Sequence, residues 1–521
     1  MNRFRAPALL LLLAVLLAGV AHVAALPPFE GYDETAHWSS IQQIADTGHL
    51  PVYGRDRLSA DLARYAGPWA SDHGQPYRAW FDRHPTAAAV VQGGPGRFGQ
   101  GQERNWQAQH PPLFYLLLAP VYRLAAGLDW RWHLFVLRLA GWVVAWAGFA
   151  WGAWRTQQAL AARGVADARL LLPAAWPFLF PQFFPEMARL TNDTLCLLLF
   201  AGVWSVALAA AQHGLGRRGA VGLGLLLGAG LLTKAFFLPV AAGTAVLLGL
   251  VAWQRRDAAN ARALALTLVV AALLGGPWYG VRLLSTGSLT GADEFIRLAA
   301  AGGFWQGLAE HLSLLQAWRG LVGILGGFAW GGTWSFAHPR SLFVAPLVLA
   351  IVLAAVLYAW GLRRRDAVAL APLCLVGPVL AGLVYHVLWL IAGTGEGAGT
   401  PGWYLHIFAA PLALMLALGW RWPWLQGGLA AYGIAFGAAM VPWQLAFFSG
   451  CLARAGVGAV TLAGARCVVD VAHLQAISLP GLALAAGVPG LLALLAAAAL
   501  TLRAQRGRAA ASRPALHAVA G

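Results

Sequence analysis

Charge is scarce in this chain of 521 residues. Charged side chains make up 11% of it, whereas ordinary soluble domains carry about 25%. Only 20 residues are acidic, and of the 36 basic residues 35 are Arg and one is lysine, Lys234. Hydrophobic residues make up 59% of the chain, and its mean hydropathy is +0.63. The composition therefore excludes a soluble protein and predicts an all-α polytopic membrane protein.

Motifs for nucleic-acid or nucleotide binding are missing as well. The net charge is +16, but no zinc-type cysteine pattern or Gly-rich phosphate loop accompanies it. Many of the arginines flank apolar runs, which is typical of topology signals and of contacts with anionic lipid headgroups. We therefore expect membrane lipids as partners and no nucleic acid.

Cysteine is also rare, with four residues in the chain. Cys196 and Cys374 lie in apolar runs and are expected to be inert. Cys451 and Cys467 flank a short polar stretch and could pair if that stretch faces an oxidising compartment. The spacing thus leads us to predict a Cys451–Cys467 disulfide.

Apolar runs and their arginine flanks predict twelve spans with both termini in the cytoplasm. A spanning helix needs about 20 apolar residues, and Arg-rich short loops mark the cytoplasmic side. The first run, roughly 6–26, follows Arg3 and Arg5 and is expected to be a retained helix. A cleaved signal peptide is the alternative, since "AHVAA" resembles a cleavage site. The Trp-rich stretch 304–336 could add another membrane-embedded segment.

Three regions follow from this topology. Residues 1–420 form a transmembrane module that includes a long external loop, 27–130. Residues 421–502 form a C-terminal transmembrane hairpin with an external loop, 448–478, and 503–521 form a basic cytoplasmic tail. Within the first loop, "HPPLFYLLLAPVYRLAAGL" is apolar but broken by prolines. We interpret it as an interfacial or partly inserted helix, with a true span as the alternative.

The unusual polar residues of this apolar chain fall on one side of the predicted membrane. A pump or ion-coupled carrier usually places ionisable residues near the bilayer midplane, so this distribution favours a site at the outer interface. There a lipid-borne substrate and a water-borne one can meet. The residues are Asp33, Glu34, His37, His110, Glu186, Arg189, Asn192, Asp193, Lys234 and Glu396.

Simpler explanations exist for several of these residues. Asp33 could cap the helix "ETAHWSSIQQIADTG", and Asn192 and Asp193 could cap "TLCLLLFAGVW" in the same way. Lys234 is harder to explain, because an ammonium group inside a long apolar run is costly. The acids and His37 could also bind a divalent metal, although no ligand spacing is diagnostic.

Six segments of the chain resemble, in order, motifs of the GT-C superfamily of membrane glycosyltransferases. The closest members are related to protein O-mannosyltransferases and lipid A aminoarabinose transferases, and the resemblance covers about residues 1–420. Each motif alone is weak, but six in the right order and on the right side form a fairly specific signal. The segments are "PPFEGYDETAH", "HPPLFYLLLAPVY", "ARLTNDTL", "GAGLLTKAFFLPV", "GGPWYGVRLLSTGS" and "PGWYLHIFAAPLAL".

The resemblance implies site residues. Asp33 would be the general base, and Asp193 would help to orient acceptor or donor. Lys234 and Arg189 would contact the donor phosphate. Relatives often have Arg-Tyr where this chain has Trp403-Tyr404, so that phosphate contact is missing or is supplied elsewhere, with Arg282 as the candidate. The substrate-binding residues implied are Glu34, His37, His110, Arg189, Asn192, Lys234, Arg282 and Tyr404.

The function that the resemblance implies is sugar transfer from a polyprenyl-phosphate-linked donor to an acceptor on the outer face, with inversion at the anomeric carbon. The acceptor would be a cell-envelope glycan, lipid or protein. The membrane would be the bacterial cytoplasmic (inner) membrane, with the site on its periplasmic or extracellular side. A carboxylate base and phosphate-binding cations suit this reaction. The alternatives are a transporter or flippase for a lipid-linked saccharide, and a non-catalytic membrane scaffold of the same fold.

Overall fold

A computed structural model describes the protein over most of its length. The described residues are 2–69, 76–85, 93–289, 298, 300, 302–335, 339, 341–362, 366–420, 422–454, 460–462 and 468–511. Over these residues the protein is an all-α polytopic membrane protein. The helices are α1 Asn2–Ala25, α2 Glu34–Thr47, α3 Pro76–Arg83, α4 Leu113–Leu124, α5 Trp130–Ala162, α6 Leu172–Leu179, α7 Phe183–Ala188, α8 Asp193–His213, α9 Arg217–Leu231, α10 Phe237–Arg255, α11 Ala258–Thr286, α12 Phe304–His311, α13 Leu314–Ala329, α14 Ser341–Trp360, α15 Ala367–Thr394, α16 Ala409–Gly419, α17 Pro423–Phe448, α18 Val471–Ile477 and α19 Pro480–Ala511.

Shorter elements connect these helices. The 3-10 helices are Ala60–Arg64, Trp106–Gln109, Ala168–Leu171 and Gly402–Phe408. Two antiparallel strand pairs lie in the predicted external loops: β1 Arg57–Ser59 with β2 Gln100–Arg104, and β3 Leu452–Arg454 with β4 Val460–Leu462.

Within the described residues, ten helices are long and apolar enough to cross a membrane. The number rises to eleven if α12 and α13, which meet at 105°, together make one span. This bent pair lies in the Trp-rich stretch that could hold an additional segment. The sequence predicted twelve spans, more than the structure describes. The prediction included two hairpin arms that form shorter helices in the structure. Prolines confine α6 to 8 residues, and α9 has 15 residues before the chain turns at Lys234.

The first external loop is a folded layer built around α2. Buried glutamines of α2 hold carboxylates of the loop: Gln42 donates to Asp61 at 3.0 Å and Gln43 donates to Asp56 at 2.9 Å. The 12-residue helix α4, which contains Pro120, packs beside α2 and is too short to span a bilayer. This layer carries the segment of Asp33 and holds it against the helix bundle.

The C-terminal hairpin is integrated with the rest of the protein. Helix α19 packs along α1, where Gly490 approaches Leu17 and the Leu479 N–H donates to the Ala24 carbonyl at 2.9 Å. Its external loop contacts the first loop through a stack of His473 on Phe81 with ring centroids 3.8 Å apart. The hairpin therefore contacts both α1 and the external layer.

The predicted disulfide falls partly outside the described residues. Cys451 forms a disulfide, whereas Cys196 and Cys374 are free thiols. Cys467 lies outside the described residues, as do residues 512–521 of the basic tail. The Cys451–Cys467 pairing thus stays a prediction.

Candidate functional site

Asp33 lies at the junction between the first span and the external layer. It occupies the N-cap position of α2, but its side chain accepts no hydrogen bond from the helix N–H groups. Its backbone has φ 62°, a left-handed conformation that is uncommon for residues other than Gly, Asn and Asp. The Trp106 Nε1–H donates to Asp33 Oδ1 at 2.9 Å. The capping explanation therefore does not account for this carboxylate, which is half-buried and oriented by an indole.

Glu34 points away from Asp33 and toward α5. Both of its oxygens accept hydrogen bonds from Arg138, at 2.7 and 2.5 Å, and they also accept the backbone N–H groups of Gly31 and Leu190. Arg138 in turn donates to the carbonyls of Leu26 and Pro27. Since Glu34 and Arg138 are both buried, the pair fixes the chain as it leaves α1. None of these contacts of Glu34 favours its predicted role as a substrate ligand.

Four charged side chains form a buried cluster beneath Asp33. Arg189 Nη2 donates to Glu186 at 2.6 Å and lies 3.7 Å from the Asp193 carboxylate. The Lys234 ammonium donates to Asp193 Oδ1 at 2.6 Å. Burial, partly opposed by Arg189, raises the pKa of the Glu186 carboxyl above its usual value. The lone lysine of the chain is thus stabilised by a carboxylate that sequence reasoning had singled out.

The cluster is joined to Asp33 through the backbone and through Tyr404. Arg189 Nη1 donates to the Tyr32 carbonyl at 2.6 Å, directly before the left-handed Asp33. The Lys234 ammonium lies 4.3 Å from the centre of the Tyr404 ring. Tyr404 and Asp33 also line the same cavity, and Arg189 lies 3.7 Å from the Asp193 carboxylate. Five of the predicted site residues therefore converge.

A cavity of about 940 Å³ begins at Asp33 and runs between α13 and α14. Asp33 is the one charged side chain among its described lining residues, and Tyr404 lines it too. Most of its other lining residues are apolar, and they include Leu321, Val348 and Leu349. Arg189 and Lys234 are not among the lining residues but contact Tyr32 and Tyr404, which are. The cavity thus combines a carboxylate at one end with an apolar groove of ligand-binding size.

His37 and His110 lie on another side of the cluster. Their rings are nearly parallel with centroids 6.3 Å apart, and His37 Nδ1 shares a hydrogen bond of 2.9 Å with the Tyr115 hydroxyl. Burial lowers the pKa of His37 well below its usual value, and the nearby His110, Arg189 and Lys234 lower it further. Burial and Lys234 lower the pKa of His110 to about 3. Both rings are therefore neutral at pH 7.

Two further predicted residues contact protein backbone. Asn192 is buried and donates to the Thr233 carbonyl at 3.4 Å, while its Oδ1 has no hydrogen-bond partner among the described residues. Arg282 donates to the Ala108 carbonyl at 2.9 Å and its guanidinium lies 4.7 Å from the Trp278 ring centre. Arg282 therefore braces the 3-10 helix that carries Trp106. Within the described ranges, no group of three or more His, Cys, Asp or Glu residues could hold a metal ion.

Several site residues were missed by sequence reasoning. Glu30, three residues before Asp33, is fully buried and joins the first loop to residues 333–335. Arg138 had a signal, because it is a charge within an apolar run. Trp106 and Gln182 had none, since their contacts join segments that are far apart in the chain.

Comparisons with known proteins return a distant structural likeness. No family model matches the chain, and no curated protein matches it. One solved structure that does match is ArnT from Cupriavidus metallidurans bound to undecaprenyl phosphate, with 14% identity and a TM-score of 0.45 over 96% of this chain and 78% of ArnT. At this identity and TM-score the likeness assigns no function to this chain.

Proposed function

We propose that this protein is a membrane glycosyltransferase that moves a sugar from a polyprenyl-phosphate donor to an acceptor at the outer face, with Asp33 as general base. The observation that carries the proposal is the position of Asp33, the one charge in the described lining of a cavity whose other lining residues are mostly apolar. Transfer from a lipid-linked sugar suits this combination, because the tail of the donor is apolar and the acceptor hydroxyl must give its proton to a base.

The chemistry assigns one task to Asp33. As the acceptor hydroxyl attacks the anomeric carbon, its proton passes to the Asp33 carboxylate, a new carbon–oxygen bond forms, and the bond to the phosphate oxygen breaks. The electron pair leaves with the lipid phosphate, and a single displacement inverts the anomeric carbon. A positioned base accelerates such a step by about 10²–10⁴-fold. Among the described contacts Trp106 holds one carboxylate oxygen, which leaves the other for the proton.

Lys234 and Arg189 are cations in contact with the lining residues Tyr404 and Tyr32. Lys234 is the better candidate for the leaving phosphate, because an ammonium has three donors and one of them is used by Asp193. Arg189 is bound at Glu186 and the Tyr32 carbonyl, so its proposed role is to hold the backbone at Asp33. The groove between α13 and α14 would take the polyprenyl tail, since its aliphatic walls suit a hydrocarbon.

Replacement of Asp33 tests the proposal. We expect Asp33→Asn to fold, since Asn tolerates a positive φ, and to lower transfer by about 10²-fold or more, because the amide cannot accept the proton. The measurement is mass analysis of lipid-linked sugars in cells that lack the gene and carry either variant or wild type. We expect donor to accumulate with Asp33→Asn to the same extent as in cells without the gene.

The matched control is Asp82→Asn, which changes an exposed carboxylate of the same external loop. It should restore the wild-type lipid profile. Wild-type lipid levels in cells with a folded Asp33→Asn protein would show that Asp33 is not the base and would favour a transporter or scaffold instead.

A further inference from the structure

Aromatic side chains are concentrated at the Asp33 end of the cavity. Tyr32 stacks on Trp403 with ring centroids 4.6 Å apart and planes at 13°, and Trp334 meets Tyr32 edge to face at 4.8 Å. All three rings line the cavity, and Trp334 keeps 38% of its surface exposed. Since Tyr32 directly precedes Asp33, this aromatic group lies next to the proposed base.

Trp334 belongs to a short segment, residues 331–335, that is held at many points. The Glu30 carboxylate accepts hydrogen bonds from the Thr333 hydroxyl and from the Ser335 hydroxyl and N–H, at 2.6 to 3.0 Å. The Trp334 N–H donates to the Glu30 carbonyl at 3.2 Å. Tyr32 adds bonds from its hydroxyl to the carbonyls of Gly331 and Thr333. Glu30 therefore fixes the backbone on both sides of Trp334.

The opposite end of the segment is equally constrained. Gln182 Oε1 accepts the N–H groups of Gly331 and Gly332, at 2.8 and 2.9 Å. A Cβ on Gly331 would lie 2.6 Å from the Trp403 ring, and Gly332 has φ 64°. The two glycines thus bring the backbone against Trp403 and let the chain turn so that Trp334 faces the cavity.

A buried carboxylate is costly unless its hydrogen bonds are complete. Glu30 is 0% exposed, and Tyr77 donates to it at 2.6 Å in addition to Thr333 and Ser335. These contacts hold an aromatic side chain at a fixed place in a cavity wall. Rigid placement of this kind is typical of a recognition site, because an ordered ring binds a ligand without further loss of side-chain entropy.

We propose that Trp334, together with Tyr32 and Trp403, forms a subsite that binds the sugar ring of the donor, and that this sugar is an uncharged pyranose. The proposal rests on the proposed function, because it places the sugar between the tail groove and Asp33. The C–H face of a pyranose presents an apolar surface to an indole, whose large rigid ring supplies contact area. An acidic sugar would be repelled by Asp33, and an amino sugar would pair with that carboxylate and occupy the base.

Binding measurements with and without a sugar test this subsite. The full-length protein in lipid nanodiscs is titrated with undecaprenyl phosphate and with its glucosyl, mannosyl and galactosyl derivatives. We expect at least one neutral derivative to bind more tightly than undecaprenyl phosphate itself. Trp334→Ala should lower the affinity for that derivative by about tenfold and the affinity for undecaprenyl phosphate by less than about twofold. Trp334→Phe, which keeps a ring, should fall between Trp334→Ala and wild type.

Trp360→Ala is the matched control, because Trp360 is 90% exposed and lies at the far end of α14. It should leave both affinities unchanged. The sugar subsite would be contradicted if both Trp334 variants weakened the binding of undecaprenyl phosphate and of its glycosyl derivatives equally. It would also be contradicted if the wild-type protein bound no neutral glycosyl derivative more tightly than undecaprenyl phosphate. If wild type failed to bind undecaprenyl phosphate at all, the proposed transferase would be contradicted instead. In that case, binding of soluble methyl glycosides that is lost in Trp334→Ala and only partly weakened in Trp334→Phe would still support a saccharide site.

Discussion

His37 shows how its surroundings determine the state of a single residue. The side chain is 2% exposed, hydrogen-bonded to Tyr115 and surrounded by His110, Arg189 and Lys234. Burial and the nearby His110, Arg189 and Lys234 disfavour imidazolium, so the folded protein holds His37 neutral at pH values where an unfolded chain would protonate it. Sequence spacing placed His37 one helical turn from Asp33, but it could not indicate this charge state.

The lowered pKa of His37 predicts a loss of stability in mild acid. The unfolded histidine titrates near pH 6.5, and below that pH the unfolded chain binds a proton that the folded protein does not. The stability that the neutral His37 allows is therefore fully present above about pH 6.5 and is lost as the pH falls. The free energy of unfolding should decrease by up to about 1.4 kcal/mol between pH 7.5 and 5.5. In thermal unfolding, His37→Gln should show a smaller loss of Tm over this range than wild type.

His49→Gln is the control for this measurement, since His49 is exposed and lies just after α2 in the same loop. It should leave the pH dependence of Tm as in wild type. If the decrease in Tm between pH 7.5 and 5.5 were the same for His37→Gln and wild type, His37 would not be held neutral by the fold.

At the scale of elements, helix pairs are positioned by small residues that let backbones approach. Gly243 of α10 faces the Cys374 carbonyl of α15, and a Cβ added there would lie 2.2 Å from that oxygen. Gly249 lies less than two turns further along α10, and a Cβ added there would have no atom within 4 Å. Close approach at small residues is a common mode of helix packing in membranes.

The two glycines of α10 give a matched prediction. Gly243→Ala should destabilise the protein by about 1–3 kcal/mol, because the methyl group can be accommodated only if α10 and α15 separate. Gly249→Ala should be neutral or slightly stabilising, since alanine favours a helix. Thermal unfolding of the two variants in one detergent makes the comparison. A Gly249→Ala protein less stable than Gly243→Ala would show that the α10–α15 contact is looser than described.

Element prediction succeeded where apolar runs were long and failed where prolines or turns shortened them. The spans α8, α14 and α15 follow from composition alone, since each is a long run between polar or basic flanks. Helix α6 has the same apolar character, but prolines divide its run into pieces of 8 and 6 residues. Hydropathy measures transfer into the membrane and is insensitive to the backbone geometry that ends a helix.

At the scale of the whole molecule, the site lies at one end of the helices. Asp193 begins α8 within the charge cluster, and the 21 residues of α8 carry the chain about 30 Å away to the end that bears Arg217 and Arg218. The arginine flanks predict that this far end is cytoplasmic. The loop that carries Asp33 would then face the periplasm or cell exterior.

This orientation predicts the labelling of single cysteines introduced in a variant without its own four. Glu103→Cys in the first loop should react with a membrane-impermeant maleimide added to spheroplasts. Arg218→Cys should react only after the membrane is permeabilised. Both positions are exposed, so access is set by the membrane rather than by burial. The reverse pattern would place the site in the cytoplasm and contradict an outer-face transferase.

Hydropathy and flanking charge are local properties of the chain, so the sequence alone was enough to show an all-α polytopic membrane protein and to predict the side on which its polar residues meet. The sequence also marked Asp33, Asp193 and Lys234 as candidates. Tertiary contacts were needed to show which charges are paired and which are available. Glu34 bonds to Arg138, 104 residues away, and Glu30 bonds to Ser335, 305 residues away, while Asp33 is left at the cavity. These pairs form because segments that are far apart in the chain pack together. Such packing produces no periodicity or spacing that could be recognised in the sequence.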